Sequence, residues 1–154
     1  MSDKLSQNLL LKVLREKNLQ PIHQAQTDQI YIVMMIAQHE VPVFFGIRSN
    51  DTLLQTLAYI PYDLNPKTLP EVARLMHIIN REVDMPGFGI DEAQKLMFYR
   101  CVIPCVNGVL DTRLVELYLA ATSVALETFM KAITIVASGG ATVDSLMTQE
   151  KPLT

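Results

Sequence analysis

The stretch QIYIVMMIAQHEVPVFFGIRSNDTLLQTLAYIP, Gln29–Pro61, decides the fold. It divides into three short apolar runs, QIYIVMMIAQ, EVPVFFGIR and TLLQTLAYIP. They are rich in β-branched and aromatic residues and lack a helical period, which predicts strands. The separators, HE and SND, are short and turn-like. Strands joined this closely run antiparallel, because a parallel crossover needs a much longer connection. A weaker strand in QPIHQAQ, joined through TDQ, extends the meander to three or four strands.

The meander poses a physical question. Ile30, Ile32, Met34 and Ile36 fall on one face of their strand, and Tyr31, Val33, Met35 and Ala37 on the other. In the next strand Val41, Val43, Phe45 and Ile47 oppose Pro42, Phe44 and Arg48. A later strand sets Met97, Tyr99, Cys101 and Ile103 against Leu96, Phe98, Arg100 and Val102. An antiparallel sheet wetted on one side alternates apolar with polar residues, and these strands do not. Either helices cover both faces, or one face meets another chain. Arg48 and Arg100 mark one face as the wetter, and an apolar surface rimmed by charge suits an interface. The residues expected to meet a partner are Tyr31, Val33, Met35, Phe44, Phe98 and Arg100.

Three helices accompany the strands. SDKLSQNLLLKVLREKN places Leu5, Leu9, Leu10, Val13 and Leu14 on one helical face, with Ser2 or Asp3 to cap its start and Asn18 its end. NPKTLPEVARLMHIINREV opens on a T-x-x-E capping box, Thr68 and Glu71, and buries Val72, Leu75, Met76, Ile79 and Val83. The third helix runs from about Asp111 to Ser138 and stops at Gly139–Gly140. Arg113, Glu116, Ala120, Ser123, Glu127, Lys131 and Thr134 draw a polar stripe along it, and the helix is expected to be buried on more than half its circumference. Between the second and third helices a GFGI strand turns at Asp91–Gln94 into the strand that ends in CVIPC, and NGVLD follows as a loop. The fold class is therefore α+β: an antiparallel sheet with three helices in the order α-β-β-β(-β)-α-β-β-α. One domain is expected over residues 1–139, with a loose tail over 140–154.

No enzyme motif emerges. Cys101 and Cys105 stand four apart on a strand, roughly 13 Å at about 3.3 Å per residue, whereas a disulfide needs Cα atoms about 4.4–6.8 Å apart. They read as small apolar residues, reduced and without metal. His23, His39 and His77 fall in three separate elements with no ligand spacing. PGFGID has a G-x-G but lacks the third glycine and the following helix of a phosphate loop. Asp91 with Glu92, and Asp63 beside Tyr62, read as turn carboxylates. Ser123 and Ser138 have no nucleophile elbow, and Met34–Met35 has no neighbouring copper ligand. Thus no catalytic residue, cofactor or metal is expected.

The chain has 154 residues, is 49% hydrophobic and carries a net charge of −3 from 13 basic and 16 acidic residues. That suffices for one core and offers no basic patch for nucleic acid. The opening MSDKLSQNLL lacks the pattern of a secretory leader, and no run reaches the ~18 apolar residues of a membrane span. With two unpaired thiols, the expectation is a cytoplasmic protein that binds neither nucleic acid nor membrane.

From about Leu69 to Phe129 the chain resembles the YbjN family of bacterial, cyanobacterial and plastid proteins. RLMHIINREVDMPGFGIDEAQKLMFYRCVIP and GVLDTRLVELYLAATSVALETF carry the resemblance. Its marks here are Asn80 at the end of a helix, Gly87 and Phe88, the acidic turn at Asp91, Tyr99 with Arg100, and the closing helix from Leu110 onward. The resemblance implies a fold similar to that of type III secretion chaperones, small cytosolic α+β dimers that bind segments of other proteins, and it brings no catalytic residues. The function expected is a non-enzymatic chaperone-like or adaptor domain, a homodimer with a protein partner. The alternatives are a small enzyme with a pocket of dispersed residues and a purely structural, self-associating subunit.

Overall fold

The structure is a computed structural model and describes residues 2–150. Six strands form one antiparallel sheet: β2 (Ile22–Gln24), β3 (Gln29–Ile36), β4 (His39–Arg48), β5 (Leu53–Tyr59), β6 (Phe88–Asp91) and β7 (Leu96–Pro104). Their order across the sheet is β2-β3-β4-β5-β7-β6, so the meander is four strands wide before β7 and β6 extend it. The α+β class is as the sequence reads. The β3–β4 turn lies at Ala37–Gln38, ahead of the HE separator, and both residues take positive φ (50° and 67°). A two-residue hairpin of that hand matches the strand twist and normally uses Asn or Gly, so this turn has no sequence signature.

α1 (Gln7–Glu16), α2 (Leu69–Glu82) and α3 (Thr112–Ala137) supply the apolar layer that covers the sheet. Ile30, Ile32, Ile36, Val41, Val43, Leu54, Met97, Tyr99 and Ile103 are buried with Leu10, Leu14, Val72, Met76, Leu126 and Ile133 in one core. The two chain neighbours of a buried strand residue point the other way, so all this burial lies on one face. Phe88 of β6 meets Phe129 of α3 edge-on, with ring centroids 6.1 Å apart. α3 has the length and composition of a membrane span. Nine of its residues, from Val115 to Ala137, are nevertheless buried in the domain, which marks it as the core helix.

Helix ends depart from the reading in instructive ways. The cap of α1 is Ser6, whose Oγ accepts from the Leu9 N–H at 3.1 Å, because Ser2–Lys4 is drawn into a strand (β1). β1 pairs antiparallel with β8 (Val109–Asp111), inside the stretch expected to be a loop. The Thr68–Glu71 box does not form. The Thr68 hydroxyl donates instead to the Ala137 carbonyl at 2.8 Å, tying the start of α2 to the end of α3. Glu71 accepts from the Val143 N–H at 2.8 Å. That bond docks α4 (Val143–Glu150), a helix in the tail expected to be loose, and Val143 is fully buried. The expected ends at Asn18 and Gly139 are observed, both residues having positive φ.

Candidate protein-binding face

The second face of the sheet can be built from its register. Tyr31 pairs with Phe44, Phe44 with Leu57, Leu57 with Arg100, and Tyr59 with Phe98. Directly paired residues share a face, so these side chains stand together, opposite the helices. Four rings form a ladder across β3, β4, β5 and β7. Tyr31 stacks on Phe44 (4.9 Å between centroids), Phe44 meets Tyr59 edge-on (5.6 Å), and Tyr59 meets Phe98 edge-on (6.4 Å). The Phe98 ring closes over Gly89 of β6, where a Cβ would come within 2.7 Å of it. Beyond the Tyr31 end, Val33 is 48% and Met35 65% exposed.

Two cations sit in this apolar field. The Arg100 Nε donates to the Gln55 Oε1 on the adjacent strand at 2.7 Å. Gln55 is only 8% exposed, and this bond satisfies its buried carbonyl. Arg100 itself is exposed, and its Nη groups have no partner among the described residues. Arg48 folds back over Gly46 at the end of β4. Beside Arg100 a cleft of about 620 Å³ opens at the β6 end, lined by Gly87, Phe98, Val102 and Tyr118 among others.

All six residues singled out from the sequence, Tyr31, Val33, Met35, Phe44, Phe98 and Arg100, therefore share one face across three strands. Sequence reasoning missed Tyr59, Leu57 and Gln55. The alternation Leu53, Gln55, Leu57, Tyr59 in TLLQTLAYIP carries that signal, but only once β5 is aligned between β4 and β7.

The remaining candidates for chemistry lie apart. The Asp91 Oδ1 accepts from the Gln94 N–H at 3.1 Å and serves its turn. The Ser138 hydroxyl donates to the Ile135 carbonyl at the end of α3. Cys101 and Cys105 are free and buried, and burial pushes both thiols above their ordinary range, so neither is an activated nucleophile. Among the described residues no three His, Cys, Asp or Glu side chains converge. What the open face offers chemically is aromatic and aliphatic contact area, with a guanidinium set into it.

The family model of YbjN, described as "Putative bacterial sensory transduction regulator", matches residues 6–142. No curated protein matches the chain.

Proposed function

Since the chain belongs to the YbjN family, we propose that it is a non-enzymatic adaptor that holds a segment of another protein on its open sheet face. The observation that carries this is the one-sided covering of the sheet. Helices bury one face, and the other presents the ladder Tyr31–Phe44–Tyr59–Phe98 to solvent. Large rigid rings provide contact area at low entropic cost and dominate binding where they cluster. Arg100 sets the chemistry of the segment. Its free Nη groups, in a surrounding of low polarity, favour a carboxylate from the partner. The segment is therefore apolar and carries an Asp or Glu. A family described as regulators supports a binding role, and the resemblance to secretion chaperones points the same way. The two buried free thiols suit a reducing compartment such as the cytoplasm.

An array of short synthetic peptides, probed with the purified protein, tests the reading. Binding is expected on peptides that combine apolar residues with Asp or Glu. It should fall about tenfold, about 1.4 kcal/mol, in Phe44→Ala and in Arg100→Gln. Peptides held equally well by both variants, or an array with no bound peptide, would overturn it.

A further inference from the structure

β7 runs on past its outer neighbour. It has nine residues and β6 has four, and β6 pairs only with Leu96–Tyr99. One further bond follows, the Arg100 N–H donating to the Gly87 carbonyl at 2.8 Å. Backbone groups two residues apart on a strand point the same way, so the Val102 N–H and carbonyl face outward as well. They have no partner on that side among the described residues. The cleft of about 620 Å³ lies along this stretch. Val102 lines it on one side and Asp84 to Gly87 on the other, with Phe98 and Arg100 on the open face and Tyr118 of α3 on the helix side.

We infer that this cleft takes the C-terminal end of another protein, laid as a short strand against β7 with its terminal carboxylate at Arg100. Three features select a chain end. The free border from Val102 to Pro104 has room for about three residues of strand at about 3.3 Å per residue. Beyond Val102 the border is taken, because the Gly87 carbonyl already holds the Arg100 N–H, so an added strand must stop there. The last feature is polarity. A strand antiparallel to β7 arrives at Gly87 with its C-terminus, and a parallel strand with its N-terminus. The Arg100 Nη groups are free to donate to a carboxylate at that point, and the guanidinium repels an ammonium.

The last residue of the tail then pairs with Val102. Residues of a hydrogen-bonded antiparallel pair exchange both bonds. The last N–H donates to the Val102 carbonyl, and one oxygen of the terminal carboxylate accepts the Val102 N–H. The other oxygen turns to the Arg100 Nη groups. Paired residues share a face, so the last side chain stands on the open face and extends the apolar row from Phe98. Asp84 on the opposite rim repels a second carboxylate, so that side chain is apolar. The inference rests on the adaptor reading above and narrows it to the end of the partner chain. An Asp or Glu side chain within a segment also reaches Arg100, but without the Val102 bonds.

Fluorescence anisotropy with three pools of labelled hexapeptides tests it. Each pool is randomised over Leu, Val, Ile, Phe and Ser and labelled at the N-terminus. One ends in the free carboxylate, the second in a carboxamide, and the third in a carboxamide with Glu at the third position. The wild-type protein is expected to hold the free acids about tenfold more tightly than the plain amides, with the Glu pool between them. Arg100→Gln, its folding checked by circular dichroism, should bring the acids down to the level of the amides. The Val102 amide should gain protection from hydrogen exchange with the acids alone. Acids and plain amides held equally would overturn the inference, and so would a Glu pool held as tightly as the acids. Either result leaves the adaptor reading standing, whereas a protein that binds none of the pools would sink both. Should Arg100→Gln fail to fold, the three pools on the wild-type chain decide alone.

Discussion

Thr68 and Glu71 show how little a local motif fixes when tertiary partners compete for the same groups. Both residues fit a capping box, yet Thr68 donates to Ala137 and Glu71 accepts from Val143. Each bond joins two elements instead of closing one helix end. Thr68→Ala is expected to cost about 1 kcal/mol, the usual worth of a neutral hydrogen bond, measured by urea denaturation. The loss should loosen the contact between α2 and the end of α3, visible as faster amide exchange in residues 134–138. A variant as stable as wild type would mean that the Ala137 carbonyl finds water without cost. Gly87 is a sharper case. A Cβ there would lie 2.1 Å from the Arg100 carbonyl oxygen, and the Gly87 carbonyl accepts the Arg100 N–H at 2.8 Å. Backbone cannot step aside as a flexible side chain can. Gly87→Ala should therefore destabilise by about 3 kcal/mol, the upper part of the range for overpacking. Gly46→Ala, whose added Cβ meets only the Arg48 side chain at 3.5 Å or more, should cost far less.

At the scale of elements, β3 carries the clearest test of the two-faced sheet. Ile32 is 1% exposed and its neighbour Val33 is 48% exposed, one residue and one face apart. Ile32→Ala is expected to lose about 3 kcal/mol, while Val33→Asp keeps the fold, its carboxylate reaching water. Thermal melts of the two variants side by side check the alternation. A Val33→Asp chain that unfolds would place Val33 in the core. The strands and α2 were legible because alternation and helical period survive in a single sequence. The six residues of the open face were legible for the same reason, since parity along a strand assigns a face without knowledge of its neighbours. Tyr59 was not, because its membership depends on register between β4 and β7, which is set by partners far away in the chain. β1 and β8 are three residues each, too short to show a period, so neither has a local signal, although Leu110 of β8 is buried in the core. α4 was illegible in another way: Val143 and Leu146 are spaced apolar residues in a short, mostly polar tail, and only contact with the rest of the domain gives them a place to bury. On α3 the charged residues drew the eye to one line of the helix. The exposed line runs beside it through Leu117 and Val124, because the direction of burial is set by the sheet beneath and not by charge.

For the whole molecule, the buried ionisable groups set a limit at alkaline pH. Burial pushes up the Cys101 and Cys105 thiols and the Tyr99 phenol, whose hydroxyl also donates to the Met85 carbonyl at 2.6 Å. All three stay neutral in the fold. In the unfolded chain the thiols ionise near their ordinary pKa of 9.0, so above that pH the unfolded state gains free energy that the fold does not. Stability is thus complete below this range and falls as pH rises through it, with Tyr99 adding to the loss near pH 10. Urea midpoints measured from neutral to alkaline pH should drop above about pH 8.5, the start of thiol ionisation in an unfolded chain. A Cys101→Ala, Cys105→Ala chain should hold its midpoint until tyrosine ionises. Native wild-type protein should also resist a thiol reagent at neutral pH and react at both cysteines in urea. Immediate reaction in the native state would contradict the burial of the pair.

Asn80 has a consequence for life in a crowded solution. Its side-chain Oδ1 accepts from the Gly87 and Phe88 N–H groups at 3.2 and 3.0 Å, and its Nδ2 donates to the Phe88 carbonyl at 2.9 Å. These backbone groups lie on the outer side of β6, where the sheet ends. An unpaired sheet border recruits further strands, and a chain with an apolar sheet surface beside such a border is prone to grow into fibrils. One amide closes the start of that border, as the last stitch keeps a knitted edge from running. Asn80→Ala should fold, and then turn turbid and stain with an amyloid dye at concentrations where the wild-type protein stays clear.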